Sequence, residues 1–243
     1  EFLIENDFRP IVYDNRDTGL SSRIQNDSFN KDNVNKTIIR NYIRYYLRLP
    51  IKSEYTIDDM ADDGVSVLDH LNIENAHILG ISMGGMIAQI MASSYPEKTK
   101  TFTLIASTAS TPSPFNGPSK DVRRLFIERT KNVDATIEDR VNRTKRLFKL
   151  IGYQGIDLDT QEFSDNVKLS IERGGVDDTG FGRQLTAILG SKNRIEKVRS
   201  ISAPTLIIHG KEDPLIGVKN AYRSNKLIKG SKLVIIDNMR HLI

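Results

Sequence analysis

The sequence predicts an α/β fold, a mostly parallel sheet flanked by helices and interrupted by an inserted helical cap. Three observations predict it. Short apolar runs of strand length alternate with helical patterns on either side of the middle of the chain. Between those blocks, roughly residues 119–190 carry charged, helix-like segments and no strand run of comparable strength. The segment Gly80-Ile81-Ser82-Met83-Gly84 falls where a strand pattern gives way to a helical one. The expected division is a core first part over residues 1–107, a cap over 108–192 and a core second part over 193–243.

Arg9 to Tyr13 is short, apolar and partly β-branched, and it runs into the turn formers Asp14-Asn15-Arg16-Asp17-Thr18-Gly19, so a strand ending in a loop is expected. From Asn33 to about Leu49 the apolar residues Val34, Ile38, Ile39, Tyr42, Tyr45, Tyr46 and Leu49 recur at helical spacing, predicting a helix that ends before Pro50. Thr56-Ile57-Asp58-Asp59 reads as a capping box opening a helix through about Leu71, with Met60, Val67, Leu68 and Leu71 on its buried face. Ala76 to Gly80 is a buried-strand candidate, and Met86 to Ser94 is strongly helical. Thr101 to Ala106, Thr205 to His209 and Lys232 to Ile236 repeat the strand pattern, which implies a parallel sheet with helices on both faces. Thr108 to Asn116 is rich in Ser, Thr and Pro and leads into the cap.

The 243 residues suffice for one substantial core. With 35 basic and 31 acidic residues the net charge is +4, spread along the chain as a whole, which argues against a dedicated nucleic-acid binder. The absence of cysteine excludes disulfides, thiolate metal sites and a thiol nucleophile, leaving catalysis to oxygen and nitrogen groups. No apolar run reaches membrane-spanning length, and Glu1 to Asp7 lacks the basic and apolar regions of a signal peptide, which points to the cytoplasm. No motif bears on oligomeric state.

Gly80-Ile81-Ser82-Met83-Gly84 matches G-x-S-x-G, in which a serine sits on a strained strand-to-helix turn with glycines easing the close approach of neighbouring backbone. With 19 serines and 16 glycines among 243 residues, the bare pattern is expected about 0.08 times by chance. Its position between strand and helix is therefore what gives it weight. A dinucleotide-binding G-x-G-x-x-G is absent. Ser82 is the candidate nucleophile, and the Met83 amide at the helix N-terminus is the candidate oxyanion donor.

A serine hydroxyl needs a base, and the base needs an orienting carboxylate. Of the four histidines only His241 lies just beyond a strand in the C-terminal part. His70 reads as an exposed helix residue, His77 opens a strand at the end away from Ser82, and His209 is expected to shape the turn that presents an acid. That acid is Asp213, with Asp237 as the alternative. Ser82, Asp213, His241 is then the chain order of nucleophile, acid and base.

At these residues the chain resembles the α/β-hydrolase superfamily, especially the branch of aclacinomycin methylesterase and related esterases. The likeness is carried by Tyr13 to Ser22, Asp59 to Asp63, His77 to Gln89 and Ala203 to Ile216. It implies a triad of Ser82, Asp213 and His241, acyl transfer through an ester on Ser82, and no metal or organic cofactor. The partner it implies is a small-molecule ester substrate. An aspartate nucleophile, as in haloalkane dehalogenases and epoxide hydrolases, is disfavoured by the serine. A proline-iminopeptidase-like amidase and a non-catalytic ligand-binding relative are the competing readings.

Relatives carry strands and a His-Gly segment ahead of the position of Arg9, and a final helix after the histidine. The sequence therefore reads as part of a longer protein, supplying the Met83 half of the oxyanion hole. Arg240 stands where relatives carry glycine, which puts a cation beside the base or in solvent. Leu125, Phe126, Leu147, Phe148 and Phe181 either line an apolar pocket or pack helix against sheet.

Overall fold

The computed structural model describes residues 2–24, 33–110, 117–131, 135–174, 178–191 and 193–242. In chain order its elements are α1 (Phe2–Glu5), α2 (Val34–Tyr46), α3 (Ile57–His70), β1 (Ala76–Ile81), α4 (Met83–Ser94), β2 (Thr99–Ile105), α5 (Lys120–Lys131), α6 (Ile137–Ile151), α7 (Gln161–Glu172), α8 (Asp178–Gly190), α9 (Ile195–Arg199), β3 (Thr205–Gly210), α10 (Lys219–Leu227) and β4 (Lys232–Ile236). The four strands form one parallel sheet in the order β1-β2-β3-β4. Ile81 pairs with Ile105, Ile105 with Ile208 and Gly210 with Ile236, so the carboxyl ends of all four strands reach one rim. That rim is where ligands bind in open parallel sheets.

Local chemistry explains the elements on either side of β1. The Thr56 hydroxyl accepts from the Asp59 amide and the Asp59 carboxylate accepts from the Thr56 amide, closing the expected capping box. The buried face of α3 is Ile57, Met60, Ala61, Gly64, Val65 and Leu68, with Val67 and Leu71 only half-buried. This face packs on Met86, Ile87, Ile90 and Met91 of α4. α2 ends in a Schellman-type turn: Leu49 N–H donates to Arg44 O, and Arg48 takes the left-handed position with φ 55°.

Ala88 and Ala92 of α4, Val198 of α9 and Ala221 of α10 join Phe102, Leu104 and Ile207 in one core cluster, against which Ile78, Leu233 and Ile235 pack. These side chains alternate onto one face of the sheet. The opposite face carries Leu79, Ile81, Val234 and Ile236, all exposed. Helices were expected on both faces; the described helices of this core cluster cover one.

The expected strand at Arg9 to Tyr13 is not one. Residues 8–15 form no ladder and Val12 is 92% exposed. A strand needs a neighbour for its backbone groups, and among the described residues β1 pairs only with β2.

Between β2 and β3 the described residues form helices and no strand; the Ser/Thr/Pro-rich run continues through 111–116, outside the described residues. Phe126 meets Phe181 at 6.0 Å between ring centroids, and Phe148 meets Phe163 edge-on at 5.4 Å. Those rings hold helix to helix, where packing of helix against sheet was one of the two expectations. Although α2 precedes β1, it docks on this insertion, with Val34, Ile38 and Tyr42 against Phe181 and Leu185 of α8.

Candidate active site

Ser82 joins β1 to α4 with φ 53° and ψ −118°, a left-handed conformation costly for a residue with a Cβ. Its surroundings hold it there: Ser82 N–H donates to Ile105 O at 3.0 Å, and the Ser107 hydroxyl donates to Ser82 O at 2.7 Å. A Cβ on Gly80 would lie 2.3 Å from Gly84 O, and one on Gly85 would lie 2.7 Å from Ser107 Cβ. At Gly84 it would meet nothing within 4 Å. The steric demand thus falls on Gly80 and Gly85, because those two face the packed turn while Gly84 faces open space. Met83 is the first residue of α4, so its N–H has no intrahelical acceptor.

Asp213 lies in the turn after β3, its side chain fully buried. Oδ1 accepts from the Leu215 and Ile216 amides, each at 2.8 Å. Oδ2 is 2.8 Å from His241 Nδ1 and 3.2 Å from His209 Nε2. His209 Nε2 donates to Ile216 O at 2.7 Å and so ties the turn to the end of β3, as expected of it. Burial pushes the Asp213 carboxyl up, but hydrogen bonds from His209 and His241 outweigh it and hold the pKa at about 2.

A folded-state pKa depressed from 3.8 to about 2 contributes stability that is present above the higher value and lost as pH falls through the lower one. Acid titration of thermal stability should therefore show a loss across that window that is missing from Asp213→Asn. Equal acid slopes in the two proteins would refute this assignment.

His241 is buried, and its backbone is fixed by the insertion: the His241 and Leu242 amides donate to Ile151 O at 2.8 and 3.0 Å, at the end of α6. Arg240 points neither at the imidazole nor into solvent alone. Its guanidinium donates to Lys149 O and Leu150 O at 3.2 and 2.7 Å, capping the carbonyl end of α6. Gly210 permits the approach of this loop, since a Cβ there would sit 2.1 Å from Arg240 O. Met239 packs against Ile105, Ala106 and Ile208, which sets the loop on the rim beside the Ser82 turn.

Asp213 and His241 are thus in direct contact. Ser82 occupies the same rim, and its hydroxyl is not hydrogen-bonded to His241. Because Nδ1 faces the acceptor-only carboxylate, it is the ring nitrogen that donates, so the neutral imidazole has its lone pair on Nε2. Asp237 pairs with Lys211 at 2.7 Å on the surface and does not touch His241. His70 and His77 are exposed, His77 bonding Thr101 at the far end of β1. Among the described residues no group of three His, Asp or Glu side chains is placed to hold a metal ion.

Sequence reasoning missed Arg194. Buried in the segment that follows α8, it donates to Gln89 of α4 at 3.4 Å, to the Ser191 hydroxyl at 3.0 Å and to the Thr108 and Ser110 carbonyls at 3.2 and 3.4 Å. It ties both ends of the insertion to the helix that follows Ser82. Burial pulls its pKa down to about 10, with the charge of Asp58 acting the other way. No local pattern marks such a residue in one sequence.

A family model described as alpha/beta hydrolase fold matches residues 1–243. The chain belongs to the α/β-hydrolase family. Among its relatives, this α/β-hydrolase is 25% identical to the rhodomycin D methylesterase DnrP of Streptomyces peucetius, over 96% of this chain and 75% of that one. It is 26% identical to the monoacylglycerol lipase ABHD6 of Mus musculus over 71% of this chain and 51% of the lipase. The enol-lactonase of Burkholderia xenovorans LB400 has the same fold, with a TM-score of 0.63 at 19% identity over 92% of this chain and 70% of the lactonase. So has the meta-cleavage product hydrolase CumD of Pseudomonas fluorescens IP01, with a TM-score of 0.59 at 24% identity over 79% and 67%.

Proposed function

We propose that this α/β-hydrolase cleaves a carboxylic ester of a small or medium-sized substrate through an acyl-enzyme on Ser82. The observation that carries the reading is the buried Asp213–His241 pair, 2.8 Å apart on the rim that also holds the strained Ser82. His241 Nε2 takes the Ser82 proton as Oγ attacks the ester carbonyl carbon, and the Met83 N–H faces the oxyanion that forms. As the intermediate collapses, the imidazolium gives that proton to the leaving alcohol. Water then enters, His241 removes its proton, and the acid is released as Ser82 regains its hydrogen. Asp213 fixes the imidazole tautomer and balances its transient charge. Residues 108–192 act as the cap over this rim, held by the α6 carbonyls on Arg240 and His241.

The choice of ester over amide rests on the relatives named as a methylesterase and a monoacylglycerol lipase. A fluorophosphonate probe should label the protein at Ser82 and leave Ser82→Ala unlabelled. Stoichiometric labelling of the alanine variant would refute the assignment of the nucleophile. Rates on p-nitrophenyl esters should exceed those on prolyl p-nitroanilides, and the reverse order would favour the amidase.

A further inference from the structure

Helix α2 has two unlike faces. Val34, Thr37, Ile38 and Asn41 are buried, and α8 covers them. At 100° per residue the remaining positions divide into two stripes. Ile39, Ile43, Tyr46 and Leu47 make an apolar stripe, and the first two and Leu47 are 54%, 55% and 63% exposed. Lys36, Arg40 and Arg44 run beside it, and Arg48 and Lys52, both exposed, follow in the turn and the non-helical segment after the helix.

No acidic residue interrupts residues 33–53, so this stretch carries +5 in a chain whose net charge is +4. Among the described residues none of these five cations pairs with a carboxylate; Arg44 donates to Pro50 O. The net charge was expected to be spread along the chain, but this segment alone carries more than the whole of it, and exposed apolar residues lie alongside.

A nucleic acid would use the cations and leave the apolar stripe in water. A bilayer surface uses both. The aliphatic residues enter the acyl boundary, the tyrosine sits at headgroup level, and arginine stems reach back to lipid phosphates. We propose that α2 is an interfacial helix which, together with the non-helical Leu47 to Lys52 that follow it, lays this chain on an anionic lipid surface. No helix among the described residues is long and apolar enough to cross a membrane, and an interfacial helix lies in the surface without crossing it. The reading does not depend on Ser82 or its chemistry.

Because the chain has no cysteine, Ile43→Cys offers a single position for an environment-sensitive fluorophore. With vesicles of phosphatidylcholine and phosphatidylserine the emission should shift to the blue, and pure phosphatidylcholine should bind at least tenfold more weakly. In co-flotation of the unlabelled chain, Arg40→Gln with Arg48→Gln should lower binding to anionic vesicles by about 30-fold. Ile43→Ser with Leu47→Ser, which leaves the charge unchanged, should lower it by at least tenfold, while Ser82→Ala should bind as the parent does. Circular dichroism and Tm should match the parent in the variants at Arg40, Ile43, Leu47 and Arg48, since all four positions are exposed. The proposal fails if the parent floats with neither vesicle or if both double variants float as well as the parent. It also fails if the label responds to protein concentration, an acidic peptide or duplex DNA and not to vesicles.

Discussion

Replacing Ser82 by alanine is expected to lower kcat on an ester substrate by roughly 10⁴- to 10⁶-fold, and replacing His241 by alanine should cost about as much. The Ser82→Ala/His241→Ala double variant should lose little beyond either single one. In the proposed mechanism hydroxyl and imidazole act in one proton transfer, so removing either would remove the transfer, leaving the Met83 amide and substrate binding to account for what remains. Asp213→Asn should also cost on the order of 10⁴-fold, because the amide would turn the imidazole to the wrong tautomer. Single-turnover and steady-state rates of the four proteins test this. Losses that multiply in the double variant, or a His241→Ala protein with near-parental kcat, would remove His241 from the reaction.

Asp17→Ala is expected to destabilise the fold by about 3–5 kcal/mol. Asp17 and Arg183 are both fully buried and joined by two hydrogen bonds of 2.9 Å between the loop after Tyr13 and helix α8. Asp17 also accepts the Ile24 amide at 2.9 Å and holds a left-handed φ of 65°. Without it, Arg183 would lose both of these charge-assisted hydrogen bonds, keeping Glu54 at 3.8 Å and the Thr179 hydroxyl at 3.4 Å among its contacts. Both Glu54 oxygens are buried without a hydrogen-bond partner, and burial pushes that carboxyl up against the pull of Arg183. Removing the negative Asp17 favours ionised Glu54, so compensation should grow as pH rises. Adding Glu54→Gln to Asp17→Ala should deepen the loss, whereas adding Arg183→Met should recover much of it by removing a buried cation that has lost its main counter-charge. Urea unfolding midpoints measure all four. A loss below about 1 kcal/mol for Asp17→Ala would show that water or a neighbour satisfies Arg183.

The features legible in the sequence are those set by local chemistry. The Thr56 capping box, the apolar runs of β1 to β4 and the close approach at Gly80 each depend on a few neighbouring residues, and each was found where expected, whereas Gly84 faces open space. The order Ser82, Asp213, His241 was legible because chain order survives folding, and Asp213 and His241 do meet. Arg9 to Tyr13 carries the strand pattern without a strand, since pairing is a property of neighbours and not of the segment.

Whether a helix covers a face, what presses on Gly85, and where Arg194 and Arg240 donate are decided by contacts between residues far apart in the chain. Arg194 reaches from the end of the insertion back to Thr108, and Arg240 reaches back to Leu150. Periodicity of α2 announced a helix, but only its docking on α8 decided which apolar residues are buried and which stand in water beside the basic stripe. Local propensity requires only adjacent residues, whereas burial and long-range hydrogen bonding exist only once the chain has closed on itself.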